Sequence, residues 1–349
     1  MGLIEGLLSS SPDLCKIYVV VREKKGQSPS ERVVKLLSSE IFNHLSAETK
    51  AKVVPIVGNL TAQDLGLDPI TLKEIRETVT VVYHNAGLIK FNRSLKEAVL
   101  MNVLSTLRCI DLAKSLVYLS AFIYTSTAWA NSNIQDKILE VIYRTKESPR
   151  EMIKLALETP STIDRVAESQ DDFIEGHQNT YSYSKQLAEN LILEEMAGLP
   201  TGIVRPSLVY GFYHHEIPGW MGSSQSGHCG VIRLFIKGVG RNLFGNPKST
   251  VFAVPCDHVV NCMLALTVSV GSRIVPSKKP EICHVSNNKD INPITIQDMA
   301  NILNEESWKN PCDSPVLQYQ GGRTYEAALL ASQTWGERGR VELVQPLAW

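Results

Sequence analysis

The chain has 349 residues, a net charge of -1, 44% hydrophobic and 20% charged residues, which is an ordinary globular balance for one large domain or two modest ones. With no basic surplus, a general nucleic-acid binder is excluded. The seven cysteines are scattered, odd in number and form no C-x-x-C pair, which argues against a disulfide framework or zinc site and fits a reducing compartment.

Short β-branched runs alternate with helical stretches from the start. Met1–Pro12 carries no basic leader and has Glu5 inside its short apolar stretch, so it does not read as a signal peptide. Ile17–Val21 is a continuous apolar run ending at Arg22, and Ser28-Pro29-Ser30-Glu31 reads as a helix start. Val53–Val57 is a second apolar run, closed by Gly58. Val79–Tyr83 is a third, leading into His84-Asn85-Ala86-Gly87. Leu95 to Leu116 has apolar residues at helical spacing. Phe122–Thr125 leads into Ser126-Thr127. Tyr181 to Ala197 predicts a helix stopped by Gly198 and Pro200, and Gly202–Val204 leads into Arg205-Pro206. Strands apolar on both faces, with helices between them, predict a parallel sheet covered on both sides.

The character changes near Phe212, where Gly, His, Ser and aromatic residues suit loops and a substrate-shaping lobe. Thr250 to Ala265 returns to a strand-then-helix pattern with Asp257 as N-cap. Val259–Val270 is too short to span a bilayer and predicts a buried amphipathic helix. After about Gln320 periodicity fades. The expected organisation is an α/β dinucleotide-binding domain over residues 1–211, a smaller lobe over 212–320 and a poorly ordered tail over 321–349.

The strongest chemical signal is Tyr181-Ser-Tyr-Ser-Lys185. At i and i+4 the tyrosine and lysine share a helix face. A lysine ammonium one turn away favours the phenolate, bringing a group of ordinary pKa about 10 closer to neutral-pH proton transfer. Tyr181 can then give a proton to a carbonyl oxygen. Ser126 and Thr127 follow a parallel strand, where open α/β sheets place ligands, and either hydroxyl can bond the same oxygen. Asn102, in the preceding helix, can organise a water near Lys185. Taken singly, Ser126 or Thr127 is as readily a helix cap, and Asn102 a surface residue. The ordered set is what carries the signal.

That set resembles the extended short-chain dehydrogenase/reductase superfamily. More narrowly, the chain is similar to the alcohol-forming fatty acyl-CoA reductases. The similarity runs through Lys16–Arg22 with Lys24-Lys25-Gly26, then Val57–Leu60, Phe122–Asn131, Asn179–Glu189, Ile203–Val209, Ile217–Trp220 and Val254–Asn261, covering nearly everything up to about Gly322. The resemblance implies a Rossmann-type doubly wound parallel sheet and reduction of a long-chain fatty acyl-CoA to a primary alcohol, with two NADPH and an enzyme-held aldehyde. It implies Tyr181 as general acid, Lys185 tuning it and holding the nicotinamide ribose, and Thr127 (or Ser126) polarising the carbonyl, with Asn102 in support. Cofactor contacts would come from Gly2, Arg22, Asn59, Leu60, Asn85, Ala86 and Lys185. Arg22 ends the second family strand, where an arginine suits the 2′-phosphate of NADP. The Phe212–Phe244 region would supply an apolar channel for the acyl chain.

The resemblance also implies departures. Met1–Leu8 aligns with the end of the family's glycine turn and the helix after it, so Gly2 would be its last glycine. The first strand and two earlier glycines have no counterpart, and neighbouring strand edges are expected to be unpaired. Asn59 stands where the family has Asp, and Ser105 where it has Gly. Truncation at both ends is the expectation. Family membership further implies an intracellular address at the cytosolic face of the peroxisomal or endoplasmic-reticulum membrane, peripheral membrane association and a homodimer. Three competing readings remain: an inactive fragment or isoform, another extended reductase or epimerase acting on a sugar nucleotide, and a histidine-based hydrolase using His214, His215, Glu216 and His228. The last lacks the i, i+4 spacing of a metalloprotease pair.

Overall fold

The computed structural model describes residues 1–22, 26–158, 163–164, 173–222, 227–237, 246–275, 277–288, 290–291 and 293–310. The expected tail over 321–349 lies outside them. The chain divides into two units, Met1–Gly222 with Val254–Ser286, and Ser223–Ala253 with Asn287–Trp349.

The first unit carries the parallel sheet. Strand β1 (Ile17–Val21) pairs with β2 (Val53–Val57). Strands β3 (Val81–His84), β4 (Ala121–Thr125), β5 (Thr201–Pro206) and β6 (Glu281–Val285) form a second parallel ladder in that order. Each apolar run of the sequence forms a strand, with ends shifted by one or two residues. Among the described strands, β1 has no ladder partner other than β2, and β3 none other than β4. Both edges at which a doubly wound sheet would continue are therefore unpaired, as the sequence predicts. Tyr18, Val20 and Val82 nevertheless pack against the same hydrophobic core.

Local signals explain the helices. Ser28 and Glu31 form a reciprocal capping box around Pro29, starting the helix Pro29–Leu37. The Asn179 side chain accepts from the Ser182 amide to start Thr180–Glu195, and Gly198 at φ +80° turns the chain back to β5. The helix Cys256–Gly271 buries Val259, Val260, Met263, Leu266 and Val270. Val259, Met263, Leu266 and Val270 form a core with Ala121, Ile123 and Val204, which explains why Val254–Ser286 returns to the first unit and not to a separate lobe. Asp257 is not the N-cap. Pro255 holds that position, and the Asp257 carboxylate accepts from the Tyr213 and His214 amides. Bonding two amides of another segment outcompetes a local cap here.

The second unit holds the helices Gly227–Ile236 and Ile296–Lys309, packed through Phe235, Ala300 and Leu303. Among the described residues, no helix is long and apolar enough to cross a membrane.

Candidate active site

The carboxyl ends of β4 and β5 and the helix Thr180–Glu195 bring the predicted catalytic residues together. Thr127 and Ser126 are buried just past β4. The Ser126 amide bonds Val204 O and the Ala128 amide bonds Pro206 O, fixing this turn against β5. Burial pushes the Tyr181 phenol above its ordinary pKa, while the neighbouring Thr127 hydroxyl pulls the other way. The two hydroxyls are neighbours, so one carbonyl oxygen could meet both.

Lys185 is buried and donates to Thr125 O at 2.8 Å and to Tyr124 Oη at 3.2 Å, with its ammonium 4.7 Å from the Tyr124 ring centre. Burial lowers its pKa to about 8, and Glu189 one helical turn on raises it. The sequence expectation was that Lys185 holds the Tyr181 phenol down. In this arrangement the ammonium is bonded to β4 instead, and burial dominates the phenol.

Behind Lys185 lies a partner the motif does not reveal. His84 stacks on Tyr124 with ring centres 5.4 Å apart, and its ring nitrogens meet Thr106 Oγ1 at 3.0 Å and Cys109 Sγ at 3.5 Å. Burial, then the Lys185 charge, pushes His84 down to about 3, so it stays neutral.

Asn102 lies in a π-helical turn, Val99–Leu104, between the helices Leu95–Ala98 and Ser105–Ser115. Its Oδ1 accepts from Leu88 N at 2.7 Å, and its Nδ2 donates to Leu88 O at 3.2 Å and Ser184 Oγ at 2.9 Å. It thus clamps the loop after β3 to the Tyr181 helix, a stronger commitment than the water-organising role expected of it. A Cβ at Gly87 would stand 3.0 Å from Asn102 Oδ1 and 3.5 Å from Lys185 Nζ, so the backbone must pass between them bare. Ser105, buried where the family has Gly, donates to Met101 O at 2.6 Å and is accommodated.

The nucleotide-side residues are placed more loosely. Arg22 is exposed at the carboxyl end of β1. Its guanidinium approaches Met101 Sδ at 3.9 Å and has no carboxylate partner among the described residues. Asn59 Oδ1 accepts from the Thr61 amide and hydroxyl in an Asx turn. Leu60 packs on the core, and Asn85 and Ala86 are exposed beyond β3. A Cβ on Gly2 would lie 2.9 Å from Cys256 Sγ and 3.0 Å from the Phe212 ring. The bare glycine permits that close approach.

A nicotinamide cofactor fits what is present at the catalytic end. The Thr125, Ser126 and Ser207 hydroxyls are buried at the ends of β4 and β5 without a partner among the described residues. Buried polar atoms are ordinarily satisfied, so a bound ligand is the natural complement. The histidine-based alternative does not assemble. His215 lies with Glu5 and His44, not in a motif of its own, its Nε2 3.6 Å from Glu5 Oε1 and the His44 Nε2 3.3 Å from it. His215 Nδ1 accepts from the Ile217 amide, which leaves the proton on Nε2 facing Glu5. The two histidines flank the buried Glu5 carboxylate, which accepts a hydrogen bond from Ser9 Oγ at 2.7 Å. The His228 side chain lies outside the described residues.

A Rossmann-type sheet with a tyrosine and lysine on one helix beside a strand-end threonine defines a short-chain reductase scaffold. The family model described as male sterility protein, an NAD-binding domain, matches residues 1–263. A Drosophila melanogaster relative assigned to the fatty acyl-CoA reductases is 40% identical over 327 residues, spanning 93% of this chain and 60% of that protein. Fatty acyl-CoA reductase 2 of Mus musculus is 32% identical over 295 residues, spanning 83% of this chain and 56% of that protein. The chain belongs to this family, the fatty acyl-CoA reductases of the extended short-chain dehydrogenase/reductases. It spans little more than half the length of these relatives. In fold it is similar to the terminal R domain of the myxalamid PKS-NRPS pathway, at 21% identity and a TM-score of 0.60 over 86% of this chain and 64% of that one.

Proposed function

We propose that the chain reduces a long-chain fatty acyl-CoA to a fatty alcohol with NADPH, through an enzyme-held aldehyde. The observation that carries this reading is the Tyr181 phenol with Thr127 as its hydroxyl neighbour at the end of β4, beside a buried Lys185 that donates to Thr125 O. The balance is one thioester, two NADPH and two protons giving one alcohol, free CoA and two NADP. The nicotinamide supplies hydride when bound.

The chain's own residues do the rest. Thr127 and Tyr181 bond the carbonyl oxygen, and Tyr181 gives it a proton. Burial favours the protonated phenol, which suits a proton donor. Lys185 keeps a positive charge near neutral pH and is held by Thr125 O where a ribose hydroxyl could share it. Ser126 and Ser207 have hydroxyls to offer a ligand. Arg22, with no acidic partner among the described residues, suits a 2′-phosphate.

The test is palmitoyl-CoA turnover with NADPH, read as hexadecanol formed, together with NADPH-induced thermal stabilisation. Tyr181→Phe is expected to lower turnover by roughly 10²–10⁴-fold, the ordinary worth of a general acid, while the NADPH thermal shift persists. Undiminished turnover in Tyr181→Phe would overturn the role of Tyr181. No alcohol from the unaltered chain would overturn the reaction.

A further inference from the structure

An exposed apolar pair stands in the segment beside Tyr181. The segment following β3 is tied down twice. Leu88 is clamped through both backbone groups by Asn102. Arg93 O accepts from the Thr180 hydroxyl at 2.9 Å, pinning the segment to the start of the Tyr181 helix. Between these pins Ile89, Lys90, Phe91 and Asn92 are all exposed. Ile89 and Phe91 are each 58% exposed, and the Phe91 ring lies 5.6 Å from the Tyr181 ring at an angle of 52°.

Single exposed apolar residues need no explanation, but here two alternate along a segment held at both ends against the general acid. Ile89 lies in the irregular run after β3, and Phe91 lies in the turn ahead of the helix Leu95–Ala98. Phe91 is offered next to the position where the carbonyl carbon would sit, with Ile89 exposed two residues before it, and the hydrocarbon chain begins at that carbon. The geometry points to Ile89 and Phe91 as an apolar lip that seats the acyl chain as it leaves Tyr181, setting the preference for long over short thioesters. The inference rests on the acyl-CoA reading of the site. An acyl chain is favoured over a second protein because the lip adjoins the reacting position and is only two side chains wide.

Covering half of a phenylalanine side chain with hydrocarbon corresponds to about tenfold in affinity. The experiment compares KM and kcat for palmitoyl-CoA and butyryl-CoA in the unaltered chain, Phe91→Ser, Ile89→Ser and Phe91→Leu. Because both residues are exposed, the serine variants are expected to melt with the unaltered protein. The expected result is a roughly tenfold fall in the palmitoyl-over-butyryl preference in Phe91→Ser, carried by KM. A smaller fall is expected in Ile89→Ser, with Phe91→Leu restoring most of the preference. An equal kcat loss on both substrates would mean that Phe91 only props Tyr181, and would overturn the lip. An unchanged preference would overturn it too, while leaving the acyl-CoA reading intact. Failure of the unaltered chain to turn over either thioester would overturn both.

Discussion

The catalytic end of the sheet and its β1–β2 edge are built to different standards. Around β4 and β5 several polar side chains are buried and bonded on more than one side. Lys185 is held by Tyr124 and Thr125, Asn102 by Leu88 and Ser184, and Arg205 by Glu189 with both side chains wholly buried. At the β1–β2 edge Arg22 and Asn59 are exposed, and Arg22 has no ionic partner among the described residues. Proton transfer demands fixed positions within a few tenths of an ångström. A phosphate grip acts through charge, and the ligand itself can order a long side chain. Burial therefore goes where geometry limits the rate, and exposure is tolerated where charge suffices.

Three measurements would break or sharpen that contrast. The largest effect belongs to the Arg205–Glu189 pair. The guanidinium donates to both carboxylate oxygens, at 2.9 and 2.7 Å, and also to the Leu139 and Val141 carbonyls. Glu189→Leu strands a buried cation and is expected to cost about 3–5 kcal/mol in denaturant unfolding. Pairing it with Arg205→Met is expected to recover part of that loss. If Glu189→Leu costs under about 1 kcal/mol, the catalytic end is less committed than its burial indicates.

The next effect is a pH slope. Lys185 has a folded pKa of about 8 against an ordinary 10.5. Between those values the unfolded chain binds the proton and the folded chain does not, so stability rises with pH through this window. The penalty of burying the ammonium is present in full below about 8 and is relieved toward 10.5. Lys185→Met is expected to remove that gain, worth roughly 3 kcal/mol at most. Unfolding free energies at pH 7.5 and pH 10 would check it, and parallel slopes in the two proteins would show that the ammonium is well solvated.

The smallest effect is at the exposed edge. Arg22→Ser is expected to change stability by less than about 0.5 kcal/mol, as exposed sites usually do. It should nevertheless erase any excess of NADPH over NADH in thermal shift. A retained excess would move 2′-phosphate recognition to another residue.

The sequence made much of this legible because its signals are local. Continuous β-branched runs marked β1 through β5, Ser28 and Glu31 marked a helix start, and the i, i+4 spacing put Tyr181 and Lys185 on one face. The π turn at Val99–Leu104 left no such mark, because a slipped hydrogen-bond register keeps the apolar spacing nearly helical. Asp257 misled as a cap because its real partners, the Tyr213 and His214 amides, lie more than forty positions away.

What the sequence alone determined is therefore the order of strands and helices and the residue types available for chemistry. Both follow from periodicity and spacing within a few turns of chain. Tertiary structure alone decided which groups Lys185 and Asn102 bond, that His84 stays neutral, and that Phe91 stands exposed against Tyr181. Those outcomes depend on burial and on neighbours distant in the chain. Desolvation and hydrogen bonding act through space, and a linear pattern does not encode which partner arrives first.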